Sequence, residues 1–231
     1  MRLKILSGGA AQSVVTALAE GFSAETGYEL DCIFGAVGSK KARLLAGQPA
    51  DLIILTQPLI AQLAADGHVL PESSADLGRV HTGVAVHTSD PLPDIASAGA
   101  LRSTLLAAGG IFFPDPHKAT AGIHFARVLD TLGIKSKVEA RTKTYPNGAA
   151  ALRAMTETEG LRLIACTQVT EINHTPGVKL AGLLPREFEL ATVYTVGVCS
   201  RATAPEAARR FIALLTGEAS HALRVKAGFE L

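Results

Sequence analysis

Gly110 to Gly133 reads GIFFPDPHKATAGIHFARVLDTLG, and the fold turns on how this stretch is parsed. Ile111, Phe112 and Phe113 form an apolar run short enough for a buried strand. The run stops at Pro114-Asp115-Pro116, which continues neither a central strand nor a helix interior. After the small residues Ala119-Thr120-Ala121-Gly122, residues Ile123, Ala126, Val128, Leu129 and Leu132 recur at helical spacing, and Gly133 closes the helix. Strand, tight loop and helix N-terminus in that order aim free backbone N–H groups and the positive end of a helix dipole into the loop. Thr120, Ala121 and Gly122 are therefore expected to form part of an anion-binding cleft, with His117 and Lys118 in the same loop as candidates for chemistry.

The same arrangement recurs outward from this stretch. Leu3 to Leu6 reads as a first strand, Ser7-Gly8-Gly9-Ala10-Ala11-Gln12-Ser13 as a glycine-rich turn, and Val14, Val15, Leu18, Ala19 and Phe22 as a helical stripe. Gly8-Gly9 lacks the GxGxxG spacing of a dinucleotide site. Tyr28 to Phe34 reads as a strand, Gly35 to Ser39 as a second small-residue turn, and Lys40 to Ala46 as a short helix with Ser39 at its N-cap. Leu52-Ile53-Ile54-Leu55 has the composition of a strand buried on both faces. Three strand–helix units in about 70 residues predict a doubly wound, mostly parallel sheet. Further on, Val138 to Thr142 reads as a short strand, Tyr145 to Gly148 as a turn before the helix Ala149 to Thr158, and Leu161 to Cys166 as an apolar strand leading into Thr167. Asn147 and Thr167 thus fall in two more strand-to-helix loops.

Two long strands, about 80–87 and 190–199, bracket the middle of the chain. They predict an α/β protein of two lobes, 1–80 with 197–231 and 81–196, each a mostly parallel sheet flanked by helices, joined by two crossing strands and able to close by hinge motion on a ligand.

Composition narrows the function. The 231 residues are 48% hydrophobic with a formal charge of +1, as expected of a globular protein with a sizeable core. No basic excess points to nucleic acid, and no apolar run is long enough for a membrane span. Cys32, Cys166 and Cys199 form no CxxC pair or zinc spacing, and the seven histidines are scattered, so neither metal nor cofactor is expected. No apolar leader precedes the first strand, which points to the cytoplasm; a periplasmic location follows if a leader has been removed.

Ala46-Gly47-Gln48-Pro49-Ala50-Asp51, Pro114-Asp115-Pro116 through Ala121-Gly122-Ile123, and Ala227-Gly228-Phe229 together resemble the molybdate-binding proteins of ABC transporters, within the type 2 periplasmic binding-protein fold. The resemblance implies an oxyanion held by hydroxyls and backbone N–H groups without a charged side chain, and a permease as partner if the protein is exported. Carried over by position, the first-loop serine falls near Ala10, beside Ser7, Gly9 and Ser13. The second-loop serine falls at Gly38 or Ser39, the backbone contact at Ala121, the next near Pro146 or Asn147, and the family's tyrosine at Cys166 or Thr167. A small carboxylate suits such donors as well as an oxyanion does. The resemblance also reaches isomerases of small unsaturated tricarboxylates such as aconitate, which need a proton taken and returned near the ligand. Cys166, His117 and Lys118 are the candidates for that role, one of Lys40 and Lys41 is a candidate carboxylate contact, and Glu171 reads as helix surface.

Overall fold

A computed structural model describes residues 1–231. In chain order the elements are β1 (Arg2–Gly8), α1 (Gln12–Thr26), β2 (Glu29–Gly35), α2 (Val37–Leu45), β3 (Leu52–Thr56), α3 (Gln57–Ala65), β4 (Ala75–His87), α4 (Ala98–Ala107), β5 (Gly110–Pro114), α5 (Thr120–Thr131), α6 (Lys135–Val138), β6 (Thr142–Tyr145), α7 (Gly148–Thr156), β7 (Leu163–Gln168), α8 (Val169–His174), β8 (Val178–Leu183), β9 (Ala191–Val198), α9 (Pro205–Thr216) and α10 (His221–Ala227). The chain divides into two compact units, 1–80 with 192–231, and 81–191. The return falls at 191/192, near the start of β9, whereas the sequence reading put it at 197.

In the first unit β2, β1 and β3 run parallel and β9 joins β3 antiparallel. Leu52 to Leu55 of β3 are all fully buried, as their unbroken apolar run requires. α1 and α9 meet over this core through an edge-to-face pair, Phe22 and Phe211, 5.0 Å between centroids. Two of the motifs that carry the resemblance are structural here. Gly47 adopts φ +86° just past α2, and Asp51, 1% exposed, accepts hydrogen bonds from the Lys4, Thr203 and Ala204 amides and the Thr203 hydroxyl. Those bonds tie the start of α9 to β1 and β3. Gly228, at φ +109°, ends α10 and turns Phe229 into the core.

In the second unit β6, β5 and β7 are parallel, β4 pairs antiparallel with β7, and β8 pairs with β4. Each sheet is thus parallel at its centre and carries an antiparallel strand at or near the point where the chain crosses. Side chains alternate along β7. Ile164 and Cys166 join the core beneath α4 and α5, whereas Leu163 and Ala165 join the one beneath α7. The expected strand 138–142 is corrected: Lys135–Val138 is helical, Glu139–Arg141 is a 3-10 turn, and β6 starts at Thr142. Val138 is buried in the α4–α5 core as a helix residue, and a single apolar side chain cannot distinguish the two states by periodicity.

Candidate functional site

Parallel neighbours place their strand-to-helix loops at the same sheet end. In the first unit β1 and β2 pair in register from Arg2–Glu29 to Gly8–Gly35, so the β1–α1 and β2–α2 loops emerge side by side. Gly8 permits the close approach: a Cβ there would stand 2.9 Å from Val37 Cγ1 and 3.1 Å from the Tyr194 ring. Gly9, Ala10 and Ala11 form a 3-10 turn leading into α1, with Ala10 buried. The Ser7 hydroxyl donates to the Gly8 carbonyl at 2.8 Å in a fully buried position, which commits it locally. Ser13 Oγ, in the first turn of α1, is buried with no partner. Of the two serines flanking Ala10, Ser13 therefore has the free hydroxyl.

α2 starts earlier than expected. Its N-cap is Ala36, not Ser39, and Val37, Gly38 and Ser39 form its first turn. Lys40 follows and is 4% exposed, yet its ammonium has no hydrogen bond or ion pair. Burial, then the charge of Arg43, lowers its pKa. Lys41, by contrast, is half-buried and donates to Gln62. Val37, Lys40 and Leu44 share the stripe of α2 that faces the sheet, so Lys40 holds a cation where an apolar residue would be ordinary.

In the second unit β5, β6 and β7 present three neighbouring loops. Asp115 Oδ1 accepts the His117 and Lys118 amides at 2.7 and 3.1 Å and shapes the β5–α5 turn, while the side chains of His117 and Lys118 are exposed. Thr120 is the half-buried first residue of α5, and Ala121 and Gly122 are buried behind it. A Cβ on Gly122 would collide with the carbonyl oxygens of Pro114 and Asp115, so the helix start packs directly against the loop. Asn147 caps α7, its Oδ1 accepting from the Ala150 amide at 2.9 Å. Tyr145 stacks on Phe112 at 6.1 Å.

Cys166 is fully buried among the α4–α5 core residues, and burial pushes its thiol pKa far up, so it behaves as a small hydrophobe. This corrects the expectation of a cleft-lining, proton-carrying thiol. The structure does not bring it together with His117 or Lys118: it lies in the core, and they lie in the exposed turn.

Glu171 is the residue that the sequence reading missed. It is 7% exposed, accepts from the Thr167 hydroxyl at 2.5 Å, and accepts from the Gln168 and Ala149 amides. Its carboxyl thus caps two helix starts, α7 and α8. Burial raises its pKa, and the three hydrogen bonds pull the other way. A Cβ on Gly148 would strike both the Glu171 carboxylate and the Thr167 hydroxyl, which explains the glycine. The Thr167 hydroxyl, expected to face a ligand, is therefore held by Glu171. The available signal was Glu171 standing three residues after Gln168, the spacing of a capping box.

Around the end of β7, Thr82, Gln168 and Thr170 are buried with no partner for either hydroxyl or for either end of the Gln168 amide. Each such group costs on the order of 1–3 kcal/mol unless something fills its valence. No cluster of His, Cys, Asp and Glu could hold a metal ion.

Two α/β units, with small-residue loops running into helix N-termini, are the architecture of the type 2 periplasmic binding-protein fold. The chain belongs to the bacterial extracellular solute-binding protein family, whose model matches residues 3–230. A curated relative, 26% identical over 225 residues covering 94% of this chain and 82% of its own, is the aconitate isomerase of a Pseudomonas species. Among solved structures, the periplasmic molybdate-binding protein of Azotobacter vinelandii superposes with a TM-score of 0.79 at 19% identity, covering 99% of both chains. The sulfate-binding protein of Mycobacterium tuberculosis gives 0.76 at 19% identity, covering 99% of this chain and 86% of its own.

Proposed function

We propose that this protein binds a small anion, a tetrahedral oxyanion or a small carboxylate, on strand-to-helix loops that end on helix N-termini. The observation that carries the reading is Lys40: a lysine 4% exposed, its ammonium with no hydrogen-bond or ion-pair partner, in the second turn of α2, next to an uncapped first turn whose N–H groups are free. An anion would pair with it and accept from the free N–H groups of the preceding turn, Val37 to Ser39. Ser13 Oγ, Gly38, Ser39, Thr120, Ala121 and the Asn147 side-chain amide are the further donors under this reading. Membership of a solute-binding family supports it, as do neighbours named for molybdate and sulfate. A membrane permease would be the partner of an exported form.

A second reading is an isomerase of a small unsaturated polycarboxylate, in which a proton leaves one carbon and returns to another as the double bond shifts. Two observations favour it: the relative named aconitate isomerase, and Glu171, a buried carboxyl with raised pKa beside the loops of the second unit.

Thermal-shift titrations with molybdate, tungstate, sulfate and a panel of di- and tricarboxylates test both. A ligand at about 100 times its Kd adds roughly 2.7 kcal/mol of stability. Stabilisation by at least one anion is expected; none across the panel sinks the binding reading. Incubation of aconitate with the protein in D₂O, followed by NMR, decides the second: deuterium entering a C–H position is expected of an isomerase, and an unchanged spectrum rejects it.

A further inference from the structure

Thr82 and Gln168 stand directly opposite each other in the β4–β7 ladder, so their side chains share one face of the sheet. The next pair on that face, Val84 and Cys166, belongs to the core beneath α5. Gln168 is at the C-terminal end of β7, the end at which the β5–α5 loop also emerges, because β5 and β7 are parallel. Thr82 and Gln168 therefore lie on the α5 side of the sheet, toward the start of that helix. They are 1% and 3% exposed, and neither the hydroxyl nor either atom of the amide has a partner. Backbone groups do not explain their presence: the Thr82 amide and carbonyl already pair with Leu190 and Leu184, and Gln168 is an N-cap whose side chain accepts nothing from α8.

The chemistry of an orphaned amide is specific. Its NH₂ offers two donors and its carbonyl one acceptor, and the adjacent threonine can serve in either sense. A fully ionised tetrahedral oxyanion accepts only, and would leave the Gln168 carbonyl unpaired. A carboxylate carrying a neighbouring hydroxyl both accepts and donates. We propose that Thr82 and Gln168 are specificity-determining ligand contacts that select a small hydroxycarboxylate. The inference rests on the anion-binding reading and narrows it to one ligand class.

Matched ligands test it: malate against succinate, and citrate against propane-1,2,3-tricarboxylate, with molybdate and sulfate as acceptor-only controls, each titrated by calorimetry at neutral pH. Within each carboxylate pair the hydroxy acid is expected to bind about tenfold or more tightly, because a site built to bond a hydroxyl rejects the analogue lacking it. Thr82→Val and Gln168→Leu should erase that preference. Since neither side chain bonds to protein, the unliganded variants should melt at or above the wild-type temperature. Equal affinity within both pairs overturns the proposal, with the groups then holding water only. So does binding of molybdate or sulfate in place of the carboxylates, a preference that survives both substitutions, or a large drop in unliganded melting temperature in both variants. Failure of every anion to bind instead removes the anion-binding reading itself, and this proposal with it.

Discussion

Three of the four buried Asp, Glu, Lys and Arg side chains, Asp51, Glu171 and Lys40, behave in three different ways. Asp51 is the structural one. Burial raises its pKa, but hydrogen bonds from Lys4, Ala204 and Thr203 outweigh that and hold it below the ordinary range. Asp51→Ala leaves those donors unsatisfied at a buried site and is expected to cost about 3 kcal/mol or more in urea unfolding. The folded-state pKa lies below the unfolded value, so the stabilisation is present above about pH 4 and fades as pH falls through the folded value. The stability gap between wild type and Asp51→Asn should accordingly narrow in acid. Glu171 has the opposite sign. Its folded pKa is raised, so the unfolded chain loses its proton first and stability declines as pH rises from about 4.3 through the folded value. Glu171→Gln should flatten that part of the pH–stability curve. Lys40 has no protein partner at all, and Lys40→Met is expected to leave the free protein as stable or more so while weakening anion binding about tenfold or more, read by calorimetry.

At the scale of the element, α7 shows how a helix start can be occupied by the protein itself. Asn147 caps it from one side and Glu171 reaches the Ala149 amide from the other, with Gly148 leaving room for the carboxylate. Asn147→Ala should cost about 1 kcal/mol, with Asn147→Asp retaining most of it. Gly148→Ala should cost roughly 2 kcal/mol or more by overpacking, and less when combined with Glu171→Ala, which removes the carboxylate but leaves the Thr167 hydroxyl against the new Cβ. Urea melts of the two single variants and the double variant measure the coupling. α2 is the contrasting case: its first turn, Val37 to Ser39, has no capping side chain, so its N–H groups remain available to a ligand.

At the scale of the molecule, the two units differ in chain continuity. The second, 81–191, is one continuous segment; the first needs 192–231, which supplies Val196, Val198, Phe211 and Leu215 to its core. A fragment 81–191 is expected to show native helix content and a cooperative thermal melt by circular dichroism, whereas 1–80 alone should not fold. A non-cooperative 81–191 fragment would show that its core depends on the other unit.

Much of this was legible in the residues. Apolar runs such as 52–55 and 110–113, broken by Gly, Pro and small residues before helical stripes, are local signals, and they determined the α/β units, the loops that end on helix starts and the family resemblance. Tertiary structure decided which polar groups those loops leave free. Ser7, Thr167 and Asn147 hydrogen-bond within the protein; Ser13, Lys40, Thr82 and Gln168 do not. Cys166 and Thr167 are adjacent, yet strand alternation sends one into an apolar core and the other to a carboxylate. Periodicity records which face a side chain takes. Whether a donor on that face finds an acceptor depends on residues distant in the chain, such as Glu171 against Ala149 or Thr82 against Gln168, and only the folded sheet brings them together.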